Sequence, residues 1–373
     1  MKVTIDVSAV PANPGGAGYY TVELVRALAV EPDLGVELVL IARRRDGERW
    51  PGVAATAQVV EEAPPRRPVR LAWEQAALPR LLRRLSPAVH HGPHYTMPEA
   101  TRLPKIVTIH DTTFFNHPEW HERSKVRFFR RAIRVAAGHA DALVCVSQTT
   151  ADQLAEECRV RVPVHVIPHG VDHERFRPDA PPGHDEKALA SAGVQRPYVA
   201  FLGTIEPRKD VPTLVRAFDR VAGAHPDLHL VVAGARGWGM ASVDHAVATA
   251  RHRARIIQLG YIPDRLRAPL LRSAAAVAYP SLEEGFGLPA LEALACGAPL
   301  VTTEGTAMAE VAGGAAVLIR PGDVEQLADA LDALVGVAGG GGGGRRDEGI
   351  AVASRFTWAA SAAGHASVYR SVA

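Results

Sequence analysis

Short apolar segments alternate with amphipathic segments along the whole chain. The apolar segments are rich in Val, Ile and Leu and end in Gly, Pro, His or Ser, which predicts buried strands that each lead into a helix. These predicted strands are residues 3–10, 36–42, 105–110, 142–147 and 164–168 in the first half, and 197–203, 228–234, 256–261, 275–280 and 299–303 in the second. The alternation predicts an α/β fold with parallel sheets covered by helices on both faces.

The alternation starts again near Tyr198, which indicates two doubly wound, Rossmann-like domains. The preceding segment contains the aperiodic, proline-rich run FRPDAPPGHDE, which is typical of a connection. We therefore predict a first domain, a linker, a second domain and a C-terminal helix that packs back on the first domain, at residues 1–175, 176–196, 197–355 and 356–373. Ligands of doubly wound sheets bind at the carboxyl ends of the strands, so we expect a site in a cleft between two facing sheets.

The composition is that of a globular protein with two domains. The chain has 373 residues, of which 47% are hydrophobic and 22% charged, and its net charge of +2 argues against a nucleic-acid partner. Three cysteines cannot form a disulfide framework, and the apolar settings of Cys145 and Cys296 predict buried thiols in a reducing cytosol. The N-terminus does not resemble a signal peptide, and no apolar run reaches the roughly 18 residues of a membrane span. We expect a cytoplasmic protein.

The most informative segment is EGFGLPALE, in which a predicted strand leads through a glycine turn into a helix. The first N–H groups of such a helix and its dipole favour an anion. The backbone that would hold the anion belongs to Gly285, Phe286, Gly287 and Leu288. Glu284 and Glu292 frame the turn, and no lysine follows the glycines as it would in a nucleoside triphosphate site. A diphosphate here would place Glu292 near a ribose and Glu284 near the group on the far phosphate, which is a nucleotide-sugar geometry.

Two cations follow another predicted strand, which ends at Gly203. Arg208 can bind a diphosphate through two hydrogen bonds and Lys209 can act as a point charge. The alternative is a solvated turn in which Glu206 pairs with Arg208. Spacing alone leaves both interpretations open.

A second glycine-rich turn, with Gly15 and Gly16, precedes the first predicted helix. It is either another anion site or a tight turn that serves packing. His110 ends the predicted strand 105–110, which would aim its ring into the cleft. Ten of the sixteen histidines fall between His90 and His173. A metal site is one interpretation, but no HxxxH or HxH pair comes with a carboxylate at helical spacing, so we predict that most of these histidines lie at the surface or in loops.

Of two further segments, the first has two possible interpretations, and the second is interpreted as a connection. Residues 123–137 place Phe128, Phe129 and Ile133 among lysine and arginine, so this helix could lie on a membrane surface or pack its apolar stripe on the sheet with its basic face solvated. The six-glycine run Gly339 to Gly344 predicts a flexible surface connection.

Taken together, the motifs resemble those of glycosyltransferase family 4, whose members are retaining enzymes of the GT-B fold. The resemblance runs nearly end to end and is greatest for bacterial mannosyltransferases of O-antigen and other polysaccharide biosynthesis. It is carried by GGAGYY, HGPHYTMP, TIHDTTFFNHPEW, VSQTT, VIPHGVD, GTIEPRKD, LGYIPD, PSLEEGFGLPALEALACGAPLVTT and EVAGGAAVL. It implies that the first domain binds the acceptor and the second binds the nucleotide-sugar donor.

The resemblance also implies roles for individual residues. Glu292 would bind the ribose, Glu284 the sugar and diphosphate, and Tyr261 would lie with Ile262 against the base. The implied catalytic residues are His110, Glu284, Arg208 and Lys209. The implied substrate-binding residues are Gly15, Gly16, Thr204, Tyr261, Ile262, Gly285, Phe286, Gly287, Leu288 and Glu292. Many relatives have an arginine at the position of Thr204, so Arg208 is expected to carry more of the charge here.

The implied function is transfer of a hexosyl group, with mannosyl favoured, from a nucleotide diphosphate sugar to a glycan or lipid-linked acceptor, without a metal or other cofactor. Peripheral contact with the inner face of the cell membrane is a further expectation. The alternatives are a hexosyltransferase that uses a UDP-sugar on a small-molecule acceptor, and a non-catalytic nucleotide-sugar-binding subunit. An epimerase or phosphorylase of the same fold would need a different second-domain motif or a cofactor lysine, which the sequence lacks. The residues do not decide the sugar, the base, the linkage or the oligomeric state.

Overall fold

The computed structural model describes residues 1–50, 52–53, 55–337 and 343–373. The chain divides into two compact units. The first unit is Met1–Gly170 together with Thr357–Ala373, and the second unit is Val171–Phe356. Residues 339–342 of the predicted flexible glycine run lie outside the described residues.

The first unit is built on a seven-stranded parallel sheet. Its strands are β1 (Lys2–Asp6), β2 (Glu37–Arg43), β3 (Gln58–Ala63), β4 (Val89–Gly92), β5 (Lys105–Ile109), β6 (Ala142–Cys145) and β7 (Val164–Val166). They lie in the order β3-β2-β1-β4-β5-β6-β7. The inner strands β4, β5 and β6 are buried along their whole length, as expected for a sheet covered on both faces.

The helices of the first unit include the last helix of the chain. They are α1 (Gly16–Val30), α2 (Arg67–Ala76), α3 (Leu78–Leu85), α4 (Thr113–Asn116), α5 (Arg123–His139), α6 (Gln148–Glu157) and α15 (Trp358–Val372). The side chain of Thr357 caps α15 by accepting a hydrogen bond from the N–H of Ala360 at 3.0 Å. The helix then packs against α1, where His365 Nε2 lies 2.8 Å from the hydroxyl of Tyr20. The C-terminal residues are therefore an integral part of the first unit.

The second unit contains a six-stranded parallel sheet. Its strands are β8 (Tyr198–Leu202), β9 (His229–Ala233), β10 (Ile256–Gly260), β11 (Ala276–Tyr279), β12 (Leu300–Thr303) and β13 (Ala316–Ile319). They lie in the order β10-β9-β8-β11-β12-β13. Its helices are α7 (His184–Ser191), α8 (Val211–Val221), α9 (Met240–Thr249), α10 (Asp264–Arg272), α11 (Leu288–Ala295), α12 (Ala307–Ala312), α13 (Val324–Val337) and α14 (Gly343–Ala353). The two sheets confirm the predicted fold of two Rossmann-like parallel α/β domains.

The segment predicted as a linker is largely packed onto the second unit. It contains α7, which lies against α10. Two guanidinium nitrogens of Arg272 on α10 hold the Asp185 carboxylate of α7 at 2.7 and 3.1 Å. Phe176, at the start of the segment, is fully buried. The predicted linker is therefore mostly an ordered part of the second unit.

Three strands were not predicted from the hydrophobic pattern. Two of them, β3 and β13, lie at sheet edges. β3 carries Gln58, Glu61 and Glu62, as edge strands often do, whereas β13 is an apolar strand of only four residues. The third, β4, contains His90 and His91, both buried on the strand rather than placed at the surface or in a loop. His90 Nδ1 lies 3.0 Å from Thr4 Oγ1, so the ring is accommodated by a hydrogen bond that the sequence pattern does not reveal.

The structure favours one of the two interpretations of residues 123–137. On α5, Val126, Phe129 and Ile133 are buried, and the last two belong to the hydrophobic core of the first unit. The apolar stripe is thus already covered by protein. Within the described ranges, every helix is too short or too polar to cross a bilayer.

Candidate active site

The EGFGLPALE segment forms a turn between β11 and α11 whose shape depends on one glycine. Gly287 is the N-cap residue of α11 and has φ of 99°, in the region that favours glycine. A Cβ atom on Gly287 would lie 2.4 Å from Cγ of Met308, so even alanine would clash. Pro289 occupies the first turn of α11, where its missing N–H costs no helical hydrogen bond. Backbone conformation and packing therefore both require glycine at this turn.

Glu284, just before this turn, is bound by both predicted cations. Arg208 Nη1 donates to Glu284 Oε2 at 2.5 Å, and Lys209 Nζ donates to Glu284 Oε1. Both cations belong to a short 3₁₀ turn, Pro207–Lys209, that follows β8. The parallel order places β8 beside β11, which brings the two loops together at the carboxyl edge of the sheet.

The alternative pairing of Glu206 with Arg208 is also present. Arg208 Nε donates to Glu206 Oε2 at 2.9 Å, while its Nη1 contacts Glu284. The structural and the functional interpretations of this turn are thus compatible. The Arg208 side chain keeps 22% of its surface exposed, against 8% for Lys209, so Arg208 is the more accessible cation for an incoming anion.

The charge pattern determines the protonation of Glu284. Burial by itself would raise the pKa of this carboxyl, but the Arg208 and Lys209 charges outweigh burial and bring the pKa to about 2. Burial lowers the pKa of Lys209, and the Glu284 carboxylate opposes that shift. Glu284 is consequently ionised at neutral pH and can only accept hydrogen bonds.

Glu292 lies on α11 and is 1% exposed. Arg267 Nη2, on α10, donates to both of its carboxylate oxygens at 2.6 Å each. Burial raises the pKa of Glu292, and the Arg267 charge opposes this shift. Sequence analysis missed Arg267. Its partner lies 25 residues away on another helix, and no spacing rule connects the two, although Arg267 lies three residues after the end of the LGYIPD motif.

The remaining predicted residues of the second unit differ in their accessibility. Tyr261, which follows β10, is 65% exposed, whereas Ile262 is only 6% exposed. Both line a cavity of about 310 Å³ together with residues of α7 and α10. Thr204, two residues after the end of β8, is exposed. Of the two residues expected to lie against a nucleotide base, Tyr261 has an exposed side chain and Ile262 has a buried one.

In the first unit, His110 follows β5 and is 8% exposed. Its Nε2 lies 2.8 Å from the carbonyl oxygen of Pro93, and its ring contacts Tyr20 edge-on at 5.1 Å between centroids. Burial lowers the pKa of His110, which keeps the imidazole neutral at pH 7. A neutral ring with one nitrogen bound to a carbonyl is held in one orientation.

Gly15 and Gly16 stand at the start of α1. A Cβ atom on either would meet nothing within 4 Å, so close packing does not explain these glycines. Gly16 has φ of 34°, which favours glycine through backbone conformation alone. The open space is compatible with the approach of a ligand. In the described ranges, no group of three or more His, Cys, Asp or Glu residues is arranged to hold a metal ion.

The sequence matches two family models. Residues 14–175 match "Glycosyltransferase Family 4", and residues 196–336 match "Glycosyl transferases group 1". The chain belongs to these glycosyltransferases. The protein is therefore a transferase enzyme.

Curated relatives agree with this class. The chain is 27% identical over 383 residues to O-antigen chain mannosyltransferase B of Escherichia coli, with 96% of each chain covered. It is 34% identical over 221 residues to D-inositol 3-phosphate glycosyltransferase of Rhodococcus erythropolis, which covers 56% of this chain and 49% of the relative.

Solved structures with the same fold include several glycosyltransferases. Sucrose-phosphate synthase from Thermosynechococcus elongatus superposes with a TM-score of 0.79 at 19% identity, covering 99% of this chain and 98% of the other. Anabaena HepE in complex with UDP-glucose gives 0.76 at 18% identity with full coverage of both chains. WaaG, a glycosyltransferase involved in lipopolysaccharide biosynthesis, gives 0.76 at 14% identity, covering 98% and 99%. These similarities confirm the predicted GT-B fold.

Proposed function

We propose that the protein is a retaining hexosyltransferase that moves a hexosyl group from a nucleotide diphosphate sugar to a glycan or lipid-linked acceptor. The observation that carries the proposal is the ionised Glu284 between Arg208 and Lys209 at the glycine turn. The full-length similarity to an O-antigen mannosyltransferase favours mannosyl as the group transferred. The similarity to HepE, whose structure contains UDP-glucose, supports a nucleotide diphosphate sugar as the donor.

The proposed reaction breaks the bond between the anomeric carbon and the diphosphate oxygen. The acceptor hydroxyl oxygen forms the new bond on the same face, and the nucleoside diphosphate leaves with the electron pair. The leaving phosphate oxygen takes the acceptor proton. Negative charge therefore grows on the diphosphate, and Arg208 and Lys209 would stabilise it. In this role the two cations would replace a metal, which we propose is not required.

The other roles follow from burial and charge. Glu284 would accept hydrogen bonds from the sugar hydroxyls, because an ionised carboxylate cannot act as an acid. The backbone of the glycine turn before α11 would face the diphosphate, Glu292 would bind the ribose and Tyr261 would lie against the base. His110, together with Gly15 and Gly16, would serve the sugar and acceptor side from the first unit.

A donor and acceptor assay tests the proposal. The protein is incubated with radiolabelled GDP-mannose, UDP-glucose and other nucleotide sugars, with membrane lipid extract or small sugars as acceptors. We expect mannosyl transfer to lipid-linked glycan that survives a metal chelator. Lys209→Met should reduce transfer at least 100-fold, on the order of the loss of one preorganised transition-state donor. Lys187→Met, at an exposed lysine of α7, is the matched control and should leave transfer unchanged.

Each other outcome has a defined meaning. Transfer from a UDP-sugar to a small acceptor would replace the mannosyl assignment with the alternative substrate class. Nucleotide binding without transfer to any acceptor would indicate a non-catalytic binding subunit. Full activity of Lys209→Met would remove the diphosphate role from this lysine. An inverted product anomer would exclude the retaining mechanism.

A further inference from the structure

The contact between Arg267 and Glu292 leaves part of the carboxylate unused. A single guanidinium nitrogen, Nη2, lies 2.6 Å from each oxygen. An ionised carboxylate offers about four lone-pair sites, two on each oxygen. One nitrogen placed between the oxygens uses one site on each and leaves one site on each. The two remaining sites equal in number the two neighbouring hydroxyls of a ribose.

Arg267 is itself held by several neighbours. Its guanidinium carbon lies 5.4 Å from the centre of the Phe176 ring, and Arg175 lies 5.0 Å from the same centre. Phe176 therefore contacts both guanidinium groups, each within the distance of a cation–π interaction. Asp264 lies within ion-pair distance of both arginines, at 3.8 Å from Arg267 and 3.2 Å from Arg175. The segment that opens the second unit thus helps to orient an arginine of α10.

Glu292 depends on this arginine for its charge. The carboxylate is almost fully buried, and a buried charge without a partner is strongly destabilising. Among the residues that the structure describes, Arg267 is the ion-pair partner of Glu292, and its side chain keeps 21% exposure. The titratable and charged groups that act on Glu292 or feel its charge come from four segments: Arg267 and Asp264 of α10, Arg175 before α7, Tyr279 at the end of β11, and Cys296 at the end of α11.

We propose that Arg267 is a positioning residue for the ribose end of the donor: it fixes the orientation of the Glu292 carboxylate and keeps it available as a double hydrogen-bond acceptor. The inference rests on the proposed function, because it takes Glu292 as the ribose-binding group. Arg267 acts through Glu292 and carries no part of the sugar transfer itself. Its loss should therefore weaken donor binding much more than turnover.

The first experiment compares Arg267→Gln with Arg267→Lys and with the control Arg253→Gln, an exposed arginine of the same unit. We expect Arg267→Gln to raise KM for the donor about tenfold, the equivalent of about one lost hydrogen bond to a charged group, while kcat changes less than threefold. Without the arginine charge Glu292 takes up a proton more readily, so the defect should be largest at acidic pH and shrink as pH rises. Arg267→Lys should restore the wild-type pH profile but only part of the affinity, because lysine keeps the charge and loses the planar geometry.

The second experiment measures binding directly, by calorimetry with GDP, UDP and their 2′-deoxy forms. The wild-type protein should prefer the ribose form, and Arg267→Gln should lose most of this preference. Thermal unfolding of each variant confirms that it is folded. Wild-type binding and an unchanged ribose preference in Arg267→Gln would overturn the inference and leave the proposed function intact. Absence of nucleotide binding by the wild-type protein, or wild-type binding by Glu292→Gln, would overturn the donor-site assignment, and the inference with it.

Discussion

Tyr20 and His365 lie 345 positions apart in the sequence and share a 2.8 Å hydrogen bond in the core of the first unit. The same tyrosine hydroxyl lies 3.0 Å from Thr108 Oγ1, which in turn contacts His91 Nε2 at 2.8 Å. His91 Nδ1 completes the chain of contacts with the hydroxyl of Tyr369 at 2.8 Å. A buried polar network therefore joins α15 to α1 and to the central strands. Networks of this kind stabilise one arrangement only while each group keeps its partner.

This network predicts acid sensitivity. Burial lowers the pKa of the buried histidines, to about 3 for His90 and about 4 for His365, and lowers it as well for His91, His110 and His169. An unfolded histidine takes up a proton near pH 6.5, so below that pH the unfolded state binds more protons and stability falls. Below that pH, each buried histidine should lower the free energy of unfolding by up to about 1.4 kcal/mol per pH unit. Thermal unfolding between about pH 8 and pH 5 measures the effect, and a constant melting temperature below about pH 6.5 would contradict it.

Gly287→Ala should damage both folding and activity. The new methyl group would lie 2.4 Å from Met308 Cγ, and alanine is strained at a φ of 99°. We expect a loss of about 2–4 kcal/mol in the free energy of unfolding, in the range of overpacked sites with added backbone strain. Gly305→Ala is the matched control, because Gly305 has a positive φ with open space at its Cβ. Denaturant unfolding should show a smaller loss there. The double variant Gly287→Ala, Met308→Ala should lose less than the sum of the two single losses, because Met308→Ala removes the side chain that the new methyl group would meet.

Glu284→Ala should destabilise the second unit by about 3–5 kcal/mol, because it leaves the buried Lys209 without its carboxylate partner. The double variant Glu284→Ala, Lys209→Met removes both charges and should lose less than the sum of the single losses. Glu325→Ala breaks a pair with Arg220 in which both side chains are more than half exposed, so it should cost at most about 1 kcal/mol. Chemical denaturation of the wild type, Glu284→Ala, Lys209→Met and the double variant measures the coupling between the two residues. Additive losses would mean that the pair does not act as a unit.

Any binding to membranes through α5 should be electrostatic. The apolar stripe of this helix is buried, while Arg123 and Arg127 are exposed. Co-sedimentation with anionic vesicles at low salt should fall steeply as salt rises, because exposed charges are screened within about 10 Å at 0.1 M. Arg123→Gln with Arg127→Gln should weaken it further. Binding that resists high salt would instead require insertion of an apolar surface, and absence of binding at low salt would remove the membrane contact.

The periodic part of the fold was predictable from local pattern. Buried strands such as β8 and β11 consist almost entirely of apolar residues, so their sequences indicate strands without any knowledge of their neighbours. The hydrophobic pattern did not predict elements whose burial depends on contacts with residues distant in the sequence. β4 carries two histidines whose burial depends on Thr4, Thr108 and Tyr369, and α7 lies in a proline-rich segment that becomes ordered by packing on α10.

The candidate site also has one part that was predictable from local sequence and another that depends on tertiary contacts. The turn before α11, with Glu284 and Glu292, was recognisable because its residues are adjacent in sequence and their chemistry depends on a local strand, turn and helix. The pairing of Glu284 with Arg208, the pairing of Glu292 with Arg267 and the accessibility of Tyr261 were not predictable, because each depends on which strands and helices are neighbours in the sheet. The catalytic and binding roles of these residues stay predictions.

The sequence by itself determined the alternation of strands and helices, the parallel sheets and the glycine turn with its two carboxylates, since hydrophobic period and turn chemistry act over a few residues. The sequence also predicted that the last helix packs on the first domain. Only the tertiary structure decided that this helix is held there through Tyr20 and His365, that Arg208 and Lys209 hold Glu284 ionised, and that Arg267 holds Glu292. These contacts join residues 345, 76, 75 and 25 positions apart. At such separations the partner is chosen by strand order and helix packing, which no local pattern records.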